Sequence, residues 1–282
     1  MSPSQRDRHT DAYWTSSEQR DLGTRLHEIA AGALGRWSFA VAERGTVASV
    51  APDSLHPAAS TIKVPLLLAT LADVADGVRS MEDLIVVPER RTAGSGVLDR
   101  LGSVTALRLV ETLELMVTLS DNTATNMLID LLGMDTIDAR LGEMGLRRTH
   151  LWRKMMDSRA AAAGHENVAT AGELARLLDH LAGGRLLPPE MTTTALAVLG
   201  RQQSSSRIPA HLPPGVHCLH KTGELAGVCH DVGVLCFAER SVSFAALGSE
   251  LPGVAEGGNG TGPAATVIAT AARAVIDVAR GG

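Results

Sequence analysis

A serine and a lysine three residues apart, Ser60 and Lys63, are a pair that could form an activated nucleophile. Residues three apart lie on one face of a helix, so the hydroxyl and the amine would converge. A serine hydroxyl attacks weakly until a neighbouring base removes its proton. Lysine can be that base when burial or nearby positive charge makes its neutral form accessible. A helix start here would also offer unpaired N–H groups to a developing oxyanion.

Two further motifs lie downstream, Ser-Asp-Asn at 120–122 and Lys-Thr-Gly at 221–223. Each of the three motifs alone has an ordinary structural interpretation, namely a surface pair, a helix cap and a strand end. The chain contains only three lysines and four asparagines, so chance occurrence of all three motifs in this order is improbable. Together they predict a site built from distant parts of the chain.

Hydrophobic periodicity predicts the elements that would position these motifs. Strands are predicted at 37–43, 46–50, 216–221, 228–237 and 241–248. Helices are predicted at both ends of the chain, and several more lie between the two groups of strands. Strands near both termini indicate one antiparallel sheet with a helical lobe inserted between its halves. We therefore expect a disordered tail at 1–15, an α/β lobe at 16–54 and 201–282, and a helical lobe at 55–200.

The three motifs resemble those of class A β-lactamases and penicillin-binding proteins. The resemblance extends over nearly the whole chain and includes Arg207, Ile208 and Pro209 before the strand that carries Lys221. It implies an α/β (α+β) fold, in which a five-stranded antiparallel sheet is flanked by N- and C-terminal helices and joined to an inserted all-helical lobe. A groove between two lobes is a usual place for a site.

The resemblance also implies a role for each residue of the first two motifs. Ser60 would be the acylated nucleophile, and Lys63 would accept its proton directly or through water. Ser120 would relay the proton to the leaving nitrogen. Asn122 would hold the substrate amide and contact Lys63.

The third motif and its neighbours would bind the substrate. Lys221 and Thr222 would contact a substrate carboxylate, and Lys221 would also have a catalytic role by adding positive field at Ser120. Gly223 would let the strand edge approach the substrate closely. The backbone N–H groups of Ser60 and Glu224 would form the oxyanion hole.

His230 lies nine residues after Lys221, on the next predicted strand. Many members of the family have an arginine there that helps bind the carboxylate, and a protonated histidine would do this better than a neutral one. An ordinary strand histidine beside Asp231 is an equally open interpretation.

The loop 151–167 departs from the class A pattern. Class A β-lactamases use a glutamate on this loop to activate the water that releases the acyl group, and the alignment places Met155 there. A thioether cannot act as a base. Asp157 is the carboxylate that could reach the acyl bond instead, whereas Glu166 is expected to close the loop through an ion pair with Arg153. The sequence thus predicts acylation but not efficient β-lactam hydrolysis.

Three functions fit these residues. The first is a serine hydrolase or acyl-transferase that acts on an amide, ester or β-lactam bearing a carboxylate. The second is a penicillin-binding or sensor-type protein that is acylated but releases the acyl group poorly, which Met155 favours. The third is a non-catalytic relative, and the intact serines and lysines of the motifs argue against it.

Composition narrows the class of protein further. Hydrophobic residues make up 45% and charged residues 20%, as in globular proteins. A net charge of −5 without a basic run argues against nucleic-acid or anionic-membrane partners. No signal peptide or membrane-spanning run is recognised, so we expect a cytoplasmic protein, or a secreted one whose leader has been removed. No cofactor is implied, and Cys218, Cys229 and Cys236 are expected to be free thiols.

Overall fold

The computed structural model describes residues 13–255 and 262–281, so most of the predicted tail lies outside the described residues. The helices are α1 (Ser16–Ala31), α2 (Lys63–Ala75), α3 (Leu109–Thr118), α4 (Asn122–Leu132), α5 (Met134–Glu143), α6 (Ser158–Ala162), α7 (Ala171–Ala182), α8 (Pro189–Gly200) and α9 (Pro263–Ala279). The strands are β1 (Arg36–Ala42), β2 (Thr46–Val50), β3 (His56–Pro57), β4 (Leu84–Val86), β5 (Ala106–Arg108), β6 (Val168–Ala169), β7 (His217–Leu225), β8 (Val228–Phe237) and β9 (Arg240–Ser249). Short 3₁₀ turns lie at Ala59–Ile62, Leu98–Arg100 and Ile208–His211.

Five strands form one antiparallel sheet in the order β2-β1-β9-β8-β7. The predicted fold class is therefore confirmed, with strands from both ends of the chain in one sheet. The other strands pair in two short ladders, β3 with β6 and β4 with β5. The ladder of β3 and β6 joins the segment before Ser60 to the end of the long loop at 152–168.

The two faces of the sheet carry different parts of the hydrophobic core. Phe39 and Val41 of β1 belong to a cluster with residues of α1 and α9. Ala40 and Ala42, on the opposite face, belong to a cluster with residues of α2, α7 and the other inserted helices. This alternation follows from the two-residue period of a strand. The sheet is therefore covered by helices on both faces, and β7 is left as an edge strand.

Helix α2 lies at the centre of the inserted helices. Its residues from Lys63 to Leu71 are all buried, and it packs against α3, α4, α5 and α8. A helix that is apolar on all sides is typical of a core position. Pro65 is tolerated because it is in the first turn, where backbone N–H groups have no partner within the helix. The lysine at the start of α2 is thereby carried into a region poor in water.

Residues 13–15 do not belong to a disordered tail, contrary to the expectation for 1–15. Trp14 is buried, and its Nε1 donates a hydrogen bond to Glu43 Oε2 at 2.6 Å. Thr15 and Glu18 form the capping box of α1. The burial of Trp14 depends on a carboxylate at the end of β1, so no local pattern could have predicted it.

Thr170 and Glu173, at the start of α7, have the spacing of a capping box. Thr170 does cap the helix, because its Oγ1 accepts a hydrogen bond from the backbone N–H of Glu173. The Glu173 carboxylate instead accepts the backbone N–H groups of 147–149, at 2.7 to 3.2 Å. The side chain therefore fixes the turn that precedes the long loop.

Across residues 13–255 and 262–281, no helix is long and apolar enough to cross a membrane. The same residues contain no group of three or more His, Cys, Asp or Glu side chains that could bind a metal ion. Cys218, Cys229 and Cys236 have free thiols, as expected. Burial raises the pKa of the Cys229 thiol to about 11, so it is protonated at neutral pH.

Candidate active site

Ser60 lies in the 3₁₀ turn directly before α2 and lines a cavity of ≈ 970 Å³. The turn is held closed by Thr61, whose Oγ1 donates to the Ala58 carbonyl at 2.6 Å. Ala59 has a φ of 46°, a left-handed conformation that costs a non-glycine residue roughly 1–3 kcal/mol. Backbone strain is thus found beside the predicted nucleophile, where it helps set the direction of the Ser60 side chain.

Lys63 is fully buried, and its amine is surrounded by oxygen atoms. Nζ donates to the Ser120 carbonyl at 2.6 Å, to Ser120 Oγ at 2.9 Å and to Asn122 Oδ1 at 3.1 Å. Burial, together with the nearby charge of Lys221, holds the pKa of Lys63 well below its ordinary value. The lowered pKa favours the neutral amine, which is the form that can accept a proton, relative to a lysine in water.

The hydroxyl of Ser120 connects the lysine to the nucleophile. Ser120 Oγ lies 2.8 Å from Ser60 Oγ and 2.9 Å from Lys63 Nζ. Ser120 has a φ of 56°, so a second strained residue lies in the same site. Ser120 Oγ therefore lies between the two groups, accepting from Lys63 Nζ and donating to Ser60 Oγ.

The middle residue of the second motif, Asp121, was given no role from the sequence. Its carboxylate caps α4 through the N–H of Ala124 and also accepts the N–H groups of Val97 and Leu98, at 2.7 to 2.9 Å. A side chain at Gly96 would collide with this carboxylate, since an added Cβ would lie 2.2 Å from Asp121 Oδ2. Asp121 thereby fixes the loop opposite Ser60, and its preference for the N-cap position was the available signal.

Lys221 lies on the edge strand β7 and is also fully buried. Its Nζ donates to the Thr222 carbonyl at 2.9 Å. Burial lowers the pKa of Lys221 to about 7, although the nearby Asp231 carboxylate acts in the opposite direction. The amine therefore changes charge close to neutral pH.

Gly223 allows β7 to pack closely against the turn that carries Ser60. A Cβ added at Gly223 would lie 3.0 Å from Thr61 Cγ2 and 3.2 Å from Ala59 Cβ. The glycine was expected to permit close approach of the substrate. In the structure its neighbours are protein atoms, so it permits close approach of the strand to the nucleophile's own turn.

Arg207 and Glu224 form an ion pair in the wall of the cavity. Arg207 is almost fully buried, and its Nη1 donates to the carbonyls of Gly223 and His230 at 3.0 and 2.7 Å. Its Nη2 donates to the Glu224 carboxylate. Sequence reasoning gave Arg207 no role, because the motif at 207–209 indicates only similarity and not the partner of the guanidinium.

His230 does not face the cavity, contrary to the expectation that it binds a carboxylate. Its ring is fully buried, with Nε2 2.8 Å from the Pro57 carbonyl and Nδ1 accepting the N–H of Gly248 at 3.0 Å. Burial lowers the pKa of His230 to about 4, which keeps the ring neutral. Both nitrogens are used by the backbone, so this geometry supports the interpretation of an ordinary strand histidine.

Met155 lines the cavity together with Ser60. The side chain of Asn126 on α4 fixes its position, since Oδ1 accepts the Met155 N–H at 2.7 Å and Nδ2 donates to the Met155 carbonyl at 3.2 Å. Asn126 was not singled out from the sequence, although its spacing of four residues from Asn122 puts both on one helix face. Met156 and Glu166 of the same loop also line the cavity, and Met155 contributes a thioether to it.

The carboxylates of the loop are used for structure. Glu166 pairs with Arg153 at 2.7 Å, the loop-closing ion pair that was expected. Asp157 accepts the N–H of Ala160 at 2.9 Å and so caps the short helix α6. Asp157 is not among the residues that line the cavity, and its candidacy as a base gains no support.

A serine hydroxyl linked through a second hydroxyl to a buried amine, beneath a sheet edge, is the kind of site that activates a nucleophile. This geometry and the fold define a candidate active-site serine enzyme. A family model described as the beta-lactamase enzyme family matches residues 21–279. The chain therefore belongs to the β-lactamase enzyme family.

Known proteins similar to this chain include enzymes and a regulatory protein. A β-lactamase from Sphaerobacter thermophilus DSM 20745 is 31% identical with a TM-score of 0.82, covering 93% of this chain and 97% of that chain. A mutant of PBP-A, solved as an acyl-enzyme complex with penicillin G, is 25% identical with a TM-score of 0.79, covering 91% of this chain and 95% of that chain. The β-lactamase regulatory protein BlaB of Streptomyces cacaoi is 25% identical, covering 82% of this chain and 88% of that protein.

Proposed function

We propose that the protein is an active-site serine acyl-transfer enzyme that forms an acyl-enzyme at Ser60. Its substrate is an amide, an ester or a β-lactam. The observation that carries this proposal is the continuous path from Ser60 Oγ through Ser120 Oγ to Lys63 Nζ, with steps of 2.8 and 2.9 Å. The lowered pKa of Lys63 supports it, because only a neutral amine can accept the proton.

In the proposed acylation step, Ser60 Oγ bonds to the substrate carbonyl carbon while its proton passes through Ser120 to Lys63. The backbone N–H groups of Ser60 and Glu224 stabilise the oxyanion. The carbon–nitrogen or carbon–oxygen bond of the leaving group then breaks, and the proton returns through Ser120 to the leaving atom. The second N–H of the Asn122 side-chain amide holds the substrate amide, since the first donates to the Ala93 carbonyl.

In the proposed recognition of a substrate carboxylate, Lys221 supplies positive charge and Thr222 supplies a hydroxyl. Lys221 and Thr222 lie on β7, where Gly223 separates them from Glu224, whose N–H belongs to the proposed oxyanion hole. Thr222 and Glu224 line the cavity. The charge of Lys221 depends on pH because its pKa is about 7. Carboxylate recognition is thus expected to be strongest below neutral pH.

A second candidate function is an acylated protein of the penicillin-binding or sensor type that retains the acyl group. Met155 favours this candidate, because the residue presented to Ser60 by the loop cannot activate water. The cavity carboxylates Glu166 and Glu224 are both engaged in ion pairs with arginines. The relative from Streptomyces cacaoi, a regulatory protein by name, is consistent with it.

The test is to incubate the protein with penicillin G and with a chromogenic cephalosporin, and to follow absorbance and intact mass. Multiple turnovers would support the hydrolase, and a stable adduct of one acyl group would support the second candidate. In either case the adduct or the turnover should be lost in Ser60→Ala and retained in Ser204→Ala, which removes another hydroxyl from the cavity wall. If neither lactams nor a panel of esters acylates the protein, both candidates fail.

A further inference from the structure

The ion pair between Arg207 and Glu224 occupies the region next to Thr222 where a substrate carboxylate is expected to bind. The exposed fractions of the two side chains are 3% and 17%, so the pair is shielded from bulk water. Charges in such a place interact more strongly than charges on the surface. Both side chains belong to the cavity wall, and Arg207 also reaches the carbonyls of Gly223 and His230.

The two terminal nitrogens of Arg207 already have protein acceptors. Nη1 has two carbonyl partners and Nη2 has the Glu224 carboxylate, whereas the buried Nε has no hydrogen-bond partner. A substrate carboxylate that approached Arg207 would have to displace Glu224 or lie beside it. Two carboxylates side by side repel each other, and this cost is paid only by anionic substrates.

We propose that Glu224 is a specificity-determining residue: its carboxylate takes the place of a substrate anion at Arg207 and makes the site favour substrates that are uncharged at this position. This inference rests on the proposed acylation of Ser60 and names the substrate class for it. Carboxylate-bearing lactams would still be accepted through Lys221 and Thr222, but with one cation fewer to attract them. An ester or amide without an adjacent carboxylate would meet no such repulsion.

The alternative is that the pair only stabilises the fold. A purely structural pair would respond to loss of the charge with lower stability and with equal effects on charged and uncharged substrates. A specificity role predicts a change in the ratio of the acylation rates of charged and uncharged substrates. The substitution Glu224→Gln retains a hydrogen-bond acceptor for Arg207, and Arg207 keeps both of its carbonyl partners. We therefore expect it to preserve the local structure.

The experiment compares penicillin G with its methyl ester, which lacks the negative charge and carries one additional methyl group. The second-order rate constant for acylation of the full-length protein is measured for each by intact mass, at one pH. The ratio of acid to ester should rise at least about tenfold in Glu224→Gln relative to the unmodified protein. Intrinsic reactivities of the two compounds cancel when the ratios are compared.

Further variants make the outcome decisive. Glu250→Gln removes the same charge and a pair with Arg36 at an exposed site, and should leave the ratio unchanged. Glu224→Asp retains the charge and should also stay close to the unmodified ratio. If the glutamine variant does not fold, Glu224→Ala removes the same charge and should raise the ratio in the same way. An unchanged ratio in Glu224→Gln, or an equal rise in Glu224→Asp, would overturn the inference while Ser60 acylation stands. Absence of any adduct with either compound would instead refute the proposed function.

Discussion

Two walls of one cavity differ in what their polar groups do. The acylation wall, defined by Ser60, Lys63, Ser120 and Asn122, links two hydroxyls, an amine and an amide by contacts of 2.6 to 3.1 Å. The loop wall, defined by residues 152–168, uses its polar groups to hold its own backbone. Glu166 forms an ion pair with Arg153, and Asp157 caps α6. Asn167 bonds to the N–H and the carbonyl of Arg153 and so holds the two ends of the loop together.

From this comparison we expect that the proposed formation and release of an acyl group depend on different parts of this fold. The acylation wall belongs to the buried start of α2 and to the turn before α4, so its geometry is fixed by the core. The residue that the loop wall presents, Met155, is held by a single side chain, Asn126. Release can therefore change through one residue of the loop without any change in the core.

The largest effect is expected on the acylation wall. Lys63→Met removes the proton acceptor while keeping a long apolar stem in the core, and the acylation rate constant should fall on the order of 10³-fold. The matched control is Lys154→Met, which removes a surface lysine paired with Asp130. Acylation is measured by intact mass after circular dichroism has verified folding. A rate within roughly threefold of the unmodified protein would exclude Lys63 as the base.

The second-largest effect is expected from the loop wall, on the rate at which an acyl group is released. Met155→Glu places a carboxylate where the thioether lines the cavity, and release of a trapped acyl group should accelerate on the order of 10²-fold. The loss of adduct mass with time measures this rate. Met156→Glu adds the same charge at the neighbouring, more exposed residue and should accelerate release much less. Equal behaviour of the two variants would show that Met155 does not face the acyl bond.

The acylation wall was largely predictable from the sequence, because its residues belong to motifs with fixed chemistry. The sheet was predictable too, since the strands of 228–237 and 241–248 are apolar runs bounded by turns. The position of Met155 followed from the ends of the loop, and the ion pair of Arg153 with Glu166 is confirmed. Short-range patterns were sufficient wherever the deciding contacts lie within one element or one loop.

The errors have a common physical cause, namely contacts between residues distant in the chain. Carboxylate binding and an ordinary strand histidine were equally open for His230. Its ring is held by the Pro57 carbonyl and the Gly248 N–H, and neither contact can be read from the residues next to it in the chain. Arg207 finds its partner Glu224 only when the connection before β7 folds back on the strand, and spacing along the chain does not encode this.

A smaller effect is expected from pH, through Lys221. Its amine is charged below a pKa of about 7 and neutral above it, so attraction of a substrate carboxylate is lost as pH rises through this value. The acid-to-ester ratio of acylation rates should fall about tenfold between about pH 6 and about pH 8.5. In Lys221→Met the ratio should be low and independent of pH. A flat ratio in the unmodified protein would mean that Lys221 does not bind the carboxylate.

The smallest effect is expected where the two walls are joined. Asn126→Ala removes the two hydrogen bonds to the Met155 backbone and one to Thr92, and should lower the free energy of unfolding by about 1–3 kcal/mol. Urea denaturation measures this, with Thr193→Ala on the exposed side of α8 as the control. Because Asn126 fixes residue 155, Met155→Glu should no longer accelerate release in the Asn126→Ala background. Full acceleration in the double variant would show that the loop positions residue 155 without help from α4.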